Sequence, residues 1–218
     1  KYCQYVDEGY TDVIHVPINK SGSSTYNNAL MAQGMLREER PEHHMKIHLL
    51  DPHTYSMVFG WYLCEMARKL QNGAELRHVI SEFETQMNKM EVILGPYSLK
   101  QMKKSGRISA AAAVMGELMG IRPIITLIDG KTRVESKVRG DDKVIPAMID
   151  LCKKRTEGVE DFDYMIGHTS IPQAAELEKA CRKAFGKAPL TTFNLGGVVS
   201  ANTGPDTLAL VYVGKARD

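Results

Sequence analysis

The run Pro17-Ile18-Asn19-Lys20-Ser21-Gly22-Ser23-Ser24-Thr25-Tyr26 places hydroxyls, an amide and one glycine between a candidate strand and a candidate helix. Side-chain O–H groups and the unpaired N–H groups of a helix N-terminus converge at such a turn, an arrangement suited to an anion. An ordinary Ser/Thr helix cap has the same composition. The run is not a Walker A loop, because it lacks the glycines and the terminal Gly-Lys-Ser/Thr. A second stretch of small residues, Leu195 to Pro205, lets the backbone approach a neighbouring segment or a ligand closely. Within it Asn202 and Thr203 can donate hydrogen bonds without carrying a full charge. A tight loop before the last strand would read alike. Set opposite Ser23 across a cleft, the two stretches would close the polar end of a pocket.

Positive charge gathers at Lys100, Lys103, Lys104 and Arg107. This is either a solvated helix face or a docking patch for an acidic partner or phosphorylated ligand. Arg107, beside Gly106, is the member best able to grip a phosphate bidentately. His43, His44, His48 and His53 are close in sequence, but Pro41 and Ile47-His48-Leu49-Leu50 argue for a loop entering a strand. No fixed ligand set emerges, so no metal is expected. His168 follows a buried strand, yet no nucleophile–base–orienter set can be built around it. Phe59, Trp61, Tyr62 and the 12 methionines fill core, and a Met-rich lining also suits a flexible apolar chain.

The elements that position these residues fall into two patterns. Val13–Ile18 and Lys46–Leu50 read as strands, with helices over Thr25–Glu38, Ser56–Gln71 and Ala74–Asn88. Strands alternating with helices imply a mainly parallel sheet covered on both faces. From Val92–Leu94 onward the pattern changes to α+β. It includes a basic turn over Ser98–Lys104, a small-residue helix over Ala110–Met119 and a hairpin of Ile124–Ile128 and Thr132–Val138 about Asp129-Gly130. Helices over Lys143–Lys154 and Pro172–Ala184 and strands at Tyr164–His168, Thr191–Asn194 and Leu208–Val213 complete it. The expected fold is thus a parallel-sheet α/β domain (1–90), an α+β domain with a mixed sheet (91–218) and a ligand cleft between them.

Across 218 residues, 43% hydrophobic and 25% charged is an ordinary soluble composition, and a net charge of +2 gives no reason to expect nucleic acid. Cys3, Cys64, Cys152 and Cys181 are too scattered for a zinc knuckle or a secreted disulfide framework. Cys64 and Cys181 sit in helical patterns and are expected to be buried thiols. No apolar run reaches the roughly 20 residues needed for a membrane span and no signal peptide opens the chain, so a cytoplasmic location is expected. The chain opens at Lys1 on what reads as a helix leading to a strand, and an upstream segment is expected.

Several stretches in order resemble the DegV family: Glu8-Gly9-Tyr10, Ser23-Ser24-Thr25-Tyr26, Asp51 with Ser56-Met57 and Gly60, and Lys104-Ser105-Gly106-Arg107-Ile108-Ser109. Further matches are Ile124 to Lys131, Lys137-Val138-Arg139-Gly140, Leu195-Gly196-Gly197-Val198 and Thr203-Gly204-Pro205. The resemblance implies two domains with a long-chain fatty acid between them and no catalytic machinery, cofactor or metal. It further implies presentation of the bound acid to a separate fatty acid kinase, which makes an acyl phosphate for phospholipid synthesis. By position it assigns the carboxylate to Ser23 and Thr25 and to the late loop at Asn202 and Thr203. Ser24 is a further carboxylate candidate by its hydroxyl, and Lys103, Lys104, Arg107 and Arg139 are candidate partner or phosphate contacts by their charge. Serine stands at positions 21 and 24 where the family commonly has glycine, and Asn202 where it has a carboxylate-touching histidine. The family's opening strand with its Asp-Ser pair, and its Thr-Ser-x-Pro loop, have no counterpart before Lys1. The competing reading is a small-molecule phosphotransferase that holds phosphate with the hydroxyl-rich turn and Arg107. It calls for a general base and a metal carboxylate set, and neither is evident in the sequence.

Overall fold

The computed structural model describes residues 1–106 and 120–216. Helix α1 (Tyr2–Asp7) leads into strand β1 (Asp12–His15), helix α2 (Thr25–Glu39) and strand β2 (Lys46–Leu49). β1 and β2 pair in parallel, Asp12 opposite Lys46 and His15 opposite Leu49, with α2 as the crossover that parallel pairing requires. α1 packs on α2. The Tyr2 hydroxyl lies 2.5 Å from Nδ1 of His15, tying α1 to the end of β1.

Helices α3 (Met57–Gln71) and α4 (Leu76–Met87) follow, and then a larger mixed sheet. Its strands are β3 (Met90–Pro96), β4 (Ile121–Ile128), β5 (Lys131–Arg139), β6 (Tyr164–His168), β7 (Thr192–Asn194) and β8 (Thr207–Val213). Among the described residues their order is β5-β4-β3-β8-β6-β7, antiparallel except for the β6–β7 pair. Helix α5 (Lys100–Ser105) follows β3. Helices α6 (Val144–Arg155) and α7 (Gln173–Phe185) flank β6, and α8 (Gly197–Thr203) precedes β8.

Period-two alternation divides the core. Ala209 and Val211 of β8 face one cluster with Val58, Met66, Val79, Phe83 and Met87 of α3 and α4. Leu208, Leu210 and Tyr212 face the other, with Val144, Met148, Leu177 and Cys181 of α6 and α7. The architecture is therefore the expected parallel α/β unit joined to a mixed-sheet unit. The helices before residue 90 cover one face of the sheet that follows it.

β3 is longer than the Val92–Leu94 core read from the sequence and is buried throughout. It even buries a carboxylate: Glu91 accepts hydrogen bonds from Arg155 Nε at 2.5 Å, Arg155 Nη2 at 3.1 Å and the Tyr212 hydroxyl at 2.6 Å. Those contacts satisfy a charge that would otherwise be costly to bury.

Two expectations are corrected. Gly197–Thr203, read as loop, is helical. Cys64 is exposed. On a 3.6-residue helix Cys64 points well away from the stripe carrying the buried Val58 and Met66. Cys152 and Cys181 are buried, and burial pushes both thiols well above the usual range, that of Cys181 up to about 12, away from reactivity. The helix expected over Ala110–Met119 lies outside the described residues.

Candidate site at the start of the second helix

Asn19 organises the loop between β1 and α2. It is 1% exposed, and its backbone N–H donates to the Thr54 carbonyl at 3.1 Å. Its Oδ1 accepts from both the backbone N–H and the hydroxyl of Ser21, each at 3.1 Å, a local turn that asparagine side chains favour. Its Nδ2 donates to the Tyr55 hydroxyl at 3.1 Å. The Tyr55 hydroxyl packs so closely over Gly22 that a Cβ there would land on it. Ser23 Oγ accepts from the Thr25 N–H at 3.3 Å. Ser24, the N-cap residue, makes no side-chain cap, and the first turn of α2 carries no acid. The N–H groups of this helix start thus carry partial positive charge with no acid beside them, and Ser23, Ser24 and Thr25 surround them.

Residues 51–56 brace this loop. Asp51 Oδ1 accepts from the backbone N–H of Lys20 at 3.3 Å and of His53 at 3.0 Å. Its other oxygen is buried without a hydrogen bond, 3.5 Å from Lys20 Nζ and 3.7 Å from His53 Nδ1. His53 Nδ1 also lies 2.5 Å from Asp129 Oδ1, at the tip of the β4–β5 hairpin. Asp129 and Gly130 have φ of 50° and 72°, the left-handed pair that a two-residue hairpin turn demands. Gly130 abuts the Asn19 amide and the Ser21 hydroxyl, where a Cβ would collide. Ser56 Oγ reaches across to the Leu195 carbonyl.

The register aligns the ends of β3, β6 and β7 with the start of β8, through Pro96–Thr207, Leu208–His168 and His168–Asn194. α5 and α8 pack together there, Gln101 Nε2 donating to the Ala201 carbonyl at 2.6 Å. Asn202 Nδ2 donates to the Val198 carbonyl at 2.8 Å, so part of its donor capacity is used within α8. Thr203 is 4% exposed, and its hydroxyl donates to the Gly204 carbonyl at 3.3 Å. Among the described residues no hydrogen bond joins Ser23–Thr25 to Asn202–Thr203. Lys103 and Lys104 are exposed on α5 and Arg139 is exposed at the end of β5. Arg107 lies outside the described residues.

The histidines are dispersed. His48 bonds Asp12 at 2.8 Å, His53 meets Asp129, and His168 Nδ1 accepts from the Ser170 N–H at 2.9 Å. Two cavities lie elsewhere. One of about 520 Å³ runs along β1 beside Tyr2, Tyr5 and Tyr10, and one of about 260 Å³ is lined by Gln33, Arg37, His43 and Lys46. Among the described residues no helix is long and apolar enough to cross a membrane. Sequence reasoning gave Asn19 no role of its own, weighed His53 only as a metal ligand and passed over Tyr55. The Asn-x-Ser turn was the available signal for Asn19, and nothing local marks the other two.

The family profile described as "Uncharacterised protein, DegV family" matches residues 1–215. The chain belongs to the DegV family. A DegV domain-containing protein of Clostridium acetobutylicum is 28% identical over 202 residues, covering 92% of this chain and 70% of the relative. A solved fatty acid binding DegV family protein from Streptococcus agalactiae superposes with a TM-score of 0.82 at 26% identity, over 98% of this chain and 74% of that one. A stearic acid-binding protein from Eubacterium ventriosum gives 0.85 at 21% identity, over 98% and 73%, and shares the DegV fold.

Proposed function

We propose that this chain is a binding protein for a long-chain fatty acid, held between its two units, which divide near residue 90. The carboxylate lies at Ser23, Ser24 and Thr25, with Asn202 and Thr203 on the far wall. The observation that carries this reading is the open N-terminus of α2, lined by hydroxyls with no acid in its first turn, in a chain of the DegV family. Stearic acid binding by one solved relative and fatty acid binding by the other agree with it. Met57, Phe59 and Trp61 are partly buried against the core at the start of α3 and supply apolar wall. An acyl chain gains roughly 0.8 kcal/mol per buried CH₂, before the cost of ordering it. Neutral donors then orient the head without the desolvation of a paired ion.

The finer reading is a carrier role. The bound acid is presented to a separate fatty acid kinase that forms the acyl phosphate, with Lys103, Lys104, Arg107 and Arg139 at the encounter surface. Solvent extraction of the purified protein followed by mass spectrometry tests the binding itself, and a C16–C18 acid at near-stoichiometric yield is expected. No lipid in the extract, together with no uptake of defined C16 and C18 acids in titration, overturns the reading. Acyl phosphate formation with a fatty acid kinase tests the second step separately.

A further inference from the structure

We infer that the Tyr55 phenol is an additional donor to the ligand's carboxylate and selects an acceptor-only head group at this site. The inference rests on the fatty acid reading and deepens it. It follows from the direction of each hydrogen bond around Asn19. The Ser21 backbone N–H can only donate, so the Asn19 atom it meets at 3.1 Å is the carbonyl oxygen Oδ1. Nδ2 must then be the atom facing Tyr55, at 3.1 Å, and the phenol oxygen is the acceptor. The phenol's own proton is left over. Among the described residues it has no acceptor, and the ring is only half-buried.

The position of that proton matters. The phenol oxygen packs against Gly22, immediately before Ser23, and Gly22 is the residue whose missing side chain makes room for it. A phenol that already accepts a hydrogen bond is a better donor, because successive bonds polarise one another. A carboxylate offers acceptors only, and a bond from a neutral donor to a charged oxygen is stronger than one between neutral groups. An alcohol head could satisfy the phenol as well, but without the charge. Tyr55 therefore contributes to discrimination between head groups more than to retention of the acyl chain.

The test titrates the parent and Tyr55→Phe with hexadecanoic acid and with 1-hexadecanol, below their aggregation concentrations. Tyr55→Phe should weaken binding of the acid by about tenfold and of the alcohol by much less, the size expected for one hydrogen bond to a charged group. Gly22→Ala is the second variant. It leaves the hydroxyl in the chain but displaces it, and should reproduce the acid-selective loss. Gly22 does not require a positive φ, so alanine is compatible with its backbone.

Unchanged acid affinity in Tyr55→Phe overturns the assignment. An equal loss for acid and alcohol also overturns it, because a residue that merely braces the loop would affect both ligands alike. A parent that binds neither ligand rejects the fatty acid reading itself, and the Tyr55 assignment with it.

Discussion

Ser56 Oγ donates a 3.1 Å hydrogen bond to the carbonyl of Leu195, joining residues 139 positions apart in the chain. It does so from a strained backbone, with φ 60° and ψ −150°, a region that glycine alone enters freely. Strain and bond can be separated by substitution. Ser56→Ala keeps the strain and loses the bond, and should destabilise the protein by about 1 kcal/mol. Ser56→Gly loses the same bond but relieves roughly 1–3 kcal/mol of strain, and should equal or exceed the parent in stability. Urea denaturation of the three proteins checks this ordering, and a glycine variant less stable than the alanine one refutes it.

Among the described residues Ser23 has one internal role, accepting the Thr25 N–H at 3.3 Å. Ser23→Ala should therefore change stability by no more than about 1 kcal/mol. It should weaken fatty acid binding by about 1.5–3 kcal/mol, the cost of one donor to a carboxylate. Calorimetric titration of both proteins with one acid measures the difference, and equal affinities would remove Ser23 from the site.

Arg155 is the partner that makes Glu91 tolerable at the centre of the sheet. The carboxylate side chain is 9% exposed and the guanidinium 29%. Pairing with Glu91 raises the guanidinium pKa, while burial and the same carboxylate raise that of the Tyr212 phenol. Arg155→Met leaves a buried charge with one neutral donor and should cost about 3–5 kcal/mol. Replacing Glu91 with Gln in that background should recover part of the loss. Thermal melts of the single and double variants give the coupling.

His15 should make stability depend on pH. Burial holds its imidazole below the usual 6.5, and Nδ1 can accept from Tyr2 only while unprotonated. Below about pH 6.5 the unfolded chain binds the proton more readily than the folded one, so stability falls as pH falls. His15→Gln cannot take up that proton. Its melting temperature should decline less than the parent's between about pH 7 and 5. Parallel slopes would show that other groups set the dependence.

Local chemistry made much of this fold readable in the sequence. Asp129-Gly130 specifies its own turn, so the β4–β5 hairpin and its partner strands were expected nearly in place. The helix Gly197–Thr203 was not, because glycine, serine, asparagine and threonine are poor helix formers. It is held by packing on α5, information carried by residues 100 positions away. Buried on both faces, β3 lacks the alternation that marks a strand's limits. At the site, Ser23, Ser24 and Thr25 announce themselves by type. Tyr55 acquires its meaning only from Asn19 and Gly22, which no periodicity brings to it.

The segment 51–56 touches three pieces distant in sequence: the loop carrying Asn19 and Ser21, the hairpin tip at Asp129, and the Leu195 turn. None of these can swing outward without breaking contacts in another. Their backbone amides should open to solvent together, as one cooperative unit with a shared opening free energy. A molecule bound at Ser23 should then slow exchange at Leu195 as well, a protection that amide exchange with and without fatty acid would measure.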